Sequence, residues 1–293
     1  MLYDLSLHIG YRYEVPATGA HHMLRLLPLS LPDRQRLIAG AITVTPEADE
    51  ISTFNDFFRH PTSHAILRGP HEKLDIRMQA RVMVQAQPMA ADFSPLLDRL
   101  PQEIAETWSL DAESPHHFLG TSPRLPRDKA IATYVRGMLK PSMTVRQIAE
   151  TLCSRIHKDF KYDAEATTVD TTPAEAFDKK RGVCQDFAHV MIVALRSLGI
   201  PAGYVSGFLR TIPPPGKERL EGADAMHAWV RIWCGKLTGW LELDPTNDIA
   251  AGTDHIVVGY GRDYADVAPV IGVLKSYGSH QTDQAVDVIP VRQ

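Results

Sequence analysis

A chain of 293 residues, 44% hydrophobic and 23% charged, has the composition of a globular protein, and its length favours two domains. A formal charge of −4 gives no electrostatic case for nucleic acid or an anionic membrane, and no apolar run is long enough to cross a bilayer. Three scattered cysteines (Cys153, Cys184, Cys234) exclude a disulfide framework and make a reducing, cytoplasmic compartment the expectation.

The opening Met1-Leu2-Tyr3-Asp4 lacks the basic and apolar segments of a secretion signal. Residues 1–88 read as strands. Leu5, Leu7, Ile9, Tyr11 and Tyr13 alternate with polar or small residues, and Leu74, Ile76, Met78, Ala80, Val82 and Val84 do the same. Shorter apolar runs near Leu24–Leu27 and Ile38–Val44 lie between them. Short strands parted by Pro- and Gly-containing turns predict an antiparallel β-sandwich. Residues 89–125 carry Pro95, Pro101, Pro115 and Pro123 and read as a connector of short helices.

Residues 126–293 read as an α+β domain of helices packed on an antiparallel sheet. A helix is predicted from Asp128 to Leu139. Thr144 with Gln147 makes a capping box, and Val145, Ile148, Leu152 and Ile156 form the stripe that follows. Thr172-Pro173-Ala174-Glu175 repeats the device. A fourth helix runs from Cys184 to Leu198 and stops at Gly199. Strands are predicted at Tyr204–Arg210, Ala228–Cys234, Trp240–Leu243 and Ile256–Tyr260, with further segments near Val270–Leu274 and Val286–Val291. The Pro213-Pro214-Pro215-Gly216 stretch reads as a surface loop beside any cleft that holds His227.

Cys184 sits at the first turn of its helix, where free N–H groups and the positive dipole end favour thiolate over thiol. Those donors also suit an oxyanion. Alone, Cys184 reads equally well as a buried, inert thiol. His227 and Asp244 change that balance. A hairpin turn centred on Gly235-Lys236 sets them directly opposite each other on one face, with Cβ atoms about 5 Å apart. Thiol, imidazole and carboxylate in contact supply a nucleophile, a base and an orienter. Gly239 allows a different turn.

His189 lies five positions along the helix from Cys184 and points elsewhere, so it reads as a core or supporting histidine. His21-His22 and His116-His117 read as solvated loop residues. Cys153 and Cys234 read as inert core thiols. A zinc site on Cys184, His227 and Asp244 lacks the second thiolate or paired His motif such sites carry, so no metal or cofactor is expected. Trp229 shares the face of His227 and reads as a site wall or as a core tryptophan. Tyr162 is a candidate second oxyanion donor, and Gln185 lies in the first turn beside the thiol.

Gly182-Val183-Cys184-Gln185-Asp186-Phe187-Ala188-His189, Leu198-Gly199-Ile200-Pro201-Ala202, Met226-His227-Ala228-Trp229 and Leu243-Asp244-Pro245-Thr246-Asn247 together resemble the transglutaminase-like superfamily. In particular they resemble its bacterial members regarded as candidate cysteine proteases. Gly261-Arg262-Asp263-Tyr264-Ala265-Asp266-Val267 and the β-rich start resemble the same group. The resemblance implies a papain-like core and the roles of nucleophile, base and orienter for Cys184, His227 and Asp244. It implies thiol-dependent hydrolysis of peptide or isopeptide amides on a peptide or protein substrate, with glutamine-directed amine transfer as the alternative. A non-catalytic interaction module is the third reading.

Overall fold

The computed structural model describes residues 1–87, 91–211 and 224–291. The expected Pro213–Gly216 loop lies outside them. In chain order the elements are β1 (Leu2–Leu24), β2 (Gln35–Thr45), β3 (Glu50–Asn55), β4 (Pro61–Leu67), β5 (His71–Val84), α1 (Leu100–Ala105), α2 (Lys129–Arg136), α3 (Val145–Asp159), β6 (Lys161–Tyr162), α4 (Pro173–Lys179), β7 (Arg181–Gly182) and α5 (Cys184–Ser197). There follow β8 (Ala202–Leu209), β9 (Ala225–Trp233), β10 (Trp240–Asp244), β11 (Ile249–Ala250), β12 (His255–Gly261), α6 (Tyr264–Val267), β13 (Val270–Lys275) and β14 (His280–Pro290).

The first sheet is built around β1. Its first half pairs with β5 on one side and β14 on the other. The β1–β5 pairing slips between Arg12 and Ala17, and Gly19 takes φ 58°. Beyond that break β1 pairs with β4 and β13 instead. One strand thus serves two layers, which bulges and a left-handed glycine permit. The expected alternation holds: Leu5, Leu7 and Ile9 of β1 and all six apolar positions of β5 are buried. The run Leu24–Leu27 is not a separate strand: Leu24 ends β1 and residues 25–27 follow it outside any strand.

The strands near Val270 and Val286 lie in this first sheet, not with the 126–293 core to which their position in the chain assigns them. Their partner is β1. The second sheet is antiparallel, in the order β11-β10-β9-β8-β12. The whole is a mixed α/β fold, with a β-rich N-terminal region against an antiparallel sheet and its helices.

Both capping boxes form, at Thr144 with Gln147 and at Thr172 with Glu175, and the Asp128 carboxylate caps α2. Each is worth roughly 1 kcal/mol against alanine. The central helix is α5, buried from Gln185 to Leu195 and so wrapped on every side. It ends as expected: Gly199 takes φ 77°, Gly199 N–H bonds to Arg196 O and Ile200 N–H to Leu195 O. Its apolar side chains meet Ala228, Val230 and Ile232 of β9 in one core. Phe208, Ile256 and Val258 of the second sheet join the core of the first, so no solvent layer parts the two.

Candidate active site

The segment before α5 aims Cys184. Lys180 ends α4 in the left-handed region, and β7 pairs parallel to β6 with Gly182 beside Tyr162. Asp186 then reaches back: its carboxylate accepts from Val183 N–H (2.8 Å) and from the Thr167 hydroxyl (2.7 Å). Burial raises its pKa against those bonds. A side chain at 182 would strike that carboxylate, so glycine is required there. Cys184 is left half-buried at the N-terminus of α5.

His227 and Asp244 meet, but not in the expected register. Leu243 pairs with Val230 and Trp240 with Trp233, so β10 is displaced by two residues and Asp244 stands diagonal to His227. The turn is longer than expected: Gly235 and Gly239 take φ 90° and 69°, with Cys234 N–H bonded to Gly239 O. A two-residue slip keeps every side chain on its face, and a diagonal neighbour stays within reach of a long side chain. The result is a 2.7 Å bond between His227 Nε2 and Asp244 Oδ2.

Asp244 is fully buried and saturated with donors. Thr246 and Asn247 N–H groups bond to Oδ1, while the Asn247 amide and His255 Nε2 (3.2 Å) bond to Oδ2. Burial would raise its pKa, but the bonds to His227 and His255 hold it far below the usual carboxylate range. Burial likewise lowers the pKa of His227. The bond to Asp244, then the nearby Cys184, outweigh it and raise the imidazole to about 10. Asp244 engages Nε2 of the ring, and Nδ1 is the other ring nitrogen.

Beneath the imidazole lies a second buried network. Trp229 is fully buried, its ring 6.1 Å from that of His227 and tilted by 29°. Its indole N–H donates to Glu242 (2.6 Å), which also accepts from Tyr260 OH (2.8 Å) and, bidentately, from Arg34. Arg34 comes from the N-terminal β-rich region, so that region braces the face that carries His227. Arg231 lies 3.9 Å and 4.1 Å from the rings of Trp240 and Tyr260. Trp229 is a core residue whose ring stacks near the imidazole.

The other expected residues divide. Tyr162 is exposed on β6, and the charge of Cys184 adds to burial in raising its pKa, which places it near the thiol. The Gln185 amide is turned instead to Val169 O at 3.0 Å. His189 is a core residue: burial lowers it to about 3, and Nε2 accepts from Tyr264 N–H. His22 is not a solvated loop residue. It is buried within β1, because its neighbours β4 and β13 cover it. His116 and His117 lie in a short 3-10 turn and bond to the Thr107 and Leu110 carbonyls. Cys153 and Cys234 are buried.

His255 was not signalled, because its contact with Asp244 is made across the sheet and leaves no local pattern. One donor atom each from His227, Asp244 and His255 lie within 4.8 Å of one another, a spacing that a metal ion would fit. Hydrogen bonds already engage all three donors.

Residues 129–245, spanning Cys184, His227 and Asp244, match the transglutaminase-like superfamily, and residues 3–83 match the bacterial transglutaminase-like N-terminal region. An uncharacterized protein of Mycobacterium tuberculosis is 36% identical over 98% of this chain and 92% of its own length. A protein-glutamine gamma-glutamyltransferase of Pseudomonas aeruginosa is 33% identical over 43% of this chain and 19% of its own. The solved structure of a candidate cysteine protease from Cytophaga hutchinsonii superposes with a TM-score of 0.75 at 19% identity, covering 100% of this chain and 91% of that one. The chain belongs to the transglutaminase-like superfamily.

Proposed function

We propose that this protein is a thiol-dependent acyl-transfer enzyme that hydrolyses peptide or isopeptide amide bonds through a thioester. The observation that carries this reading is one imidazole bonded to a buried carboxylate, with the helix-terminal Cys184 near enough for its charge to raise the imidazole pKa. His227 takes the Cys184 proton, and the sulfur attacks the amide carbon. His227 then gives that proton to the departing amine, and water activated by the same imidazole releases the acid. Asp244 orients the ring and stabilises its cationic form. N–H groups at the start of α5 would receive the oxyanion, and Tyr162 is the proposed second donor beside them. The Gln185 side chain, engaged with Val169, is better suited to shaping the 163–171 loop. Trp229 would exclude water from beneath the ring.

The chain is proposed to divide into an N-terminal β-rich unit (1–88), a connector (89–125) and a catalytic unit (126–293), the last of which lends β13 and β14 to the first sheet. A reducing, cytoplasmic setting suits three free cysteines. No helix among the described residues is long and apolar enough to cross a membrane.

A second reading, amine transfer to glutamine side chains, is favoured by similarity to the Pseudomonas enzyme. Mass spectrometry of a peptide mixture incubated with the protein and a labelled primary amine separates the two. Water addition at amide bonds supports hydrolysis, and label incorporation supports transfer. If neither occurs and no Cys184 thioester can be trapped, both readings fail.

A further inference from the structure

We infer that His255 is a positioning residue that holds the Asp244 carboxylate in place for His227. The inference rests on the proposed roles of Cys184, His227 and Asp244. Three observations carry it. First, His255 Nδ1 accepts the Gly252 N–H at 3.2 Å, so that nitrogen carries no proton and Nε2 does. The ring therefore presents a fixed donor. Second, that donor lies 3.2 Å from Asp244 Oδ2, the same oxygen that meets His227 Nε2 at 2.7 Å. Third, the ring is 2% exposed and packs edge-on against Trp229, at 5.1 Å and 77°, while Trp229 lies under His227.

The topology says why such a prop is needed. In the sheet order, β9 and β8 separate β10 from β12, so the bond from His255 to Asp244 is made across the curl of the sheet and not along a ladder. The hydrogen bonds that fix Asp244 from its own side come from Thr246 and Asn247, in the turn just after β10. His255 fixes it from the opposite side. Without it, the carboxylate is free to tilt with its turn and loosen from His227. Ionisable groups that act on this cluster include Cys184, whose charge helps to raise His227, and Cys153 of α3, whose pKa the charges of Asp248 and Asp244 help to raise.

The test uses iodoacetamide on the full chain, with the Cys184 alkylation rate read by mass spectrometry and the His227 pKa by NMR. His255→Phe keeps a ring against Trp229 and removes the donor; should it not fold, His255→Met serves the same purpose. His255→Gln restores an N–H. Alkylation at neutral pH should slow about tenfold in the Phe variant, the equivalent of one hydrogen bond to a charged group, and His227 should titrate at lower pH. The Gln variant should recover most of both. Lost thermal stability with unchanged alkylation and His227 pKa would make His255 merely structural and overturn the inference. So would a His227 pKa that rises in the Phe variant, since that means shared charge and not position. Failure of the underlying reading looks different: alkylation of Cys184 in the parent protein would then be indifferent to His227→Ala.

Discussion

Gly207 stands directly opposite His227 in the β8–β9 ladder, and the Trp229 ring occupies the space that a side chain at 207 would need. A Cβ there would fall 2.5 Å from Trp229 Cη2 and closer still to the Ile256 carbonyl. Gly207→Ala should therefore cost about 1–3 kcal/mol by overpacking and tilt the indole beneath the imidazole. Thermal melts give the first effect, and the NMR titration of His227 the second. A variant as stable as the parent, with His227 unmoved, would mean the sheet yields at Ile256 instead.

Iodoacetamide should label Cys184 well before the other two thiols. Cys153 and Cys234 are at most 2% exposed, and burial pushes both thiols up, Cys234 to about 12. Peptide mapping after brief exposure at neutral pH checks the order, and early labelling of Cys153 or Cys234 would count against Cys184 as nucleophile.

Loss of the imidazole should be severe for turnover and mild for folding. His227→Ala is expected to reduce the hydrolytic or transfer rate roughly 10²–10⁴-fold, the usual worth of a positioned general base. Circular dichroism should stay that of the parent. Asp244→Ala should reduce turnover too, but it leaves several buried donors unpaired and so lowers the melting temperature as well.

Stability should change at both ends of the pH scale for separable reasons. Burial raises the pKa of Glu242, but Arg34 above all, with Trp229 and Tyr260, lowers it to about 2. Its contribution is whole above about 4.5 and is lost as pH falls toward 2. His227 is raised to about 10, so its contribution is whole below 6.5 and is lost as pH climbs toward 10. Denaturant titrations across pH should show both slopes. Arg34→Met should cost about 3–5 kcal/mol by stranding a buried carboxylate, and should flatten the acid slope alone.

His22 adds a third range. Burial first, then the neighbouring His71, His21 and His64, lowers it to about 4, so it favours the fold above 6.5 and penalises it as pH falls toward 4. His22→Gln should remove its share of that mid-acid loss, measurable as a smaller fall in unfolding free energy between pH 6.5 and 4, with the share of His189 remaining.

What the sequence disclosed follows from the range of each interaction. The capping boxes, the start of α5 at Cys184 and its Gly199 stop are set within a few residues, and all were legible. The shared face of His227 and Asp244 was legible too, because strand parity survives a two-residue slip. The register was not, since two left-handed glycines permit the longer turn. In β3 all six residues are exposed, Ile51 and Phe54 included, so there was no alternation to find. His22 was misread because its cover comes from β13, far along the chain. Arg34 and Glu242 meet across the chain and His255 meets Asp244 across the sheet, and such pairings leave no local trace.

The strand that completes β1 comes from more than 260 residues along the chain. β14 runs beside β1 from Tyr3 to Tyr13, and its Val286 and Val288 also anchor Asp224, three positions before His227. During synthesis the opening segment must therefore wait, one side unpaired, until the chain has been made as far as residue 290. Only then does the imidazole's own strand gain this foothold, so maturation of the candidate site is tied to the closing of the opening sheet.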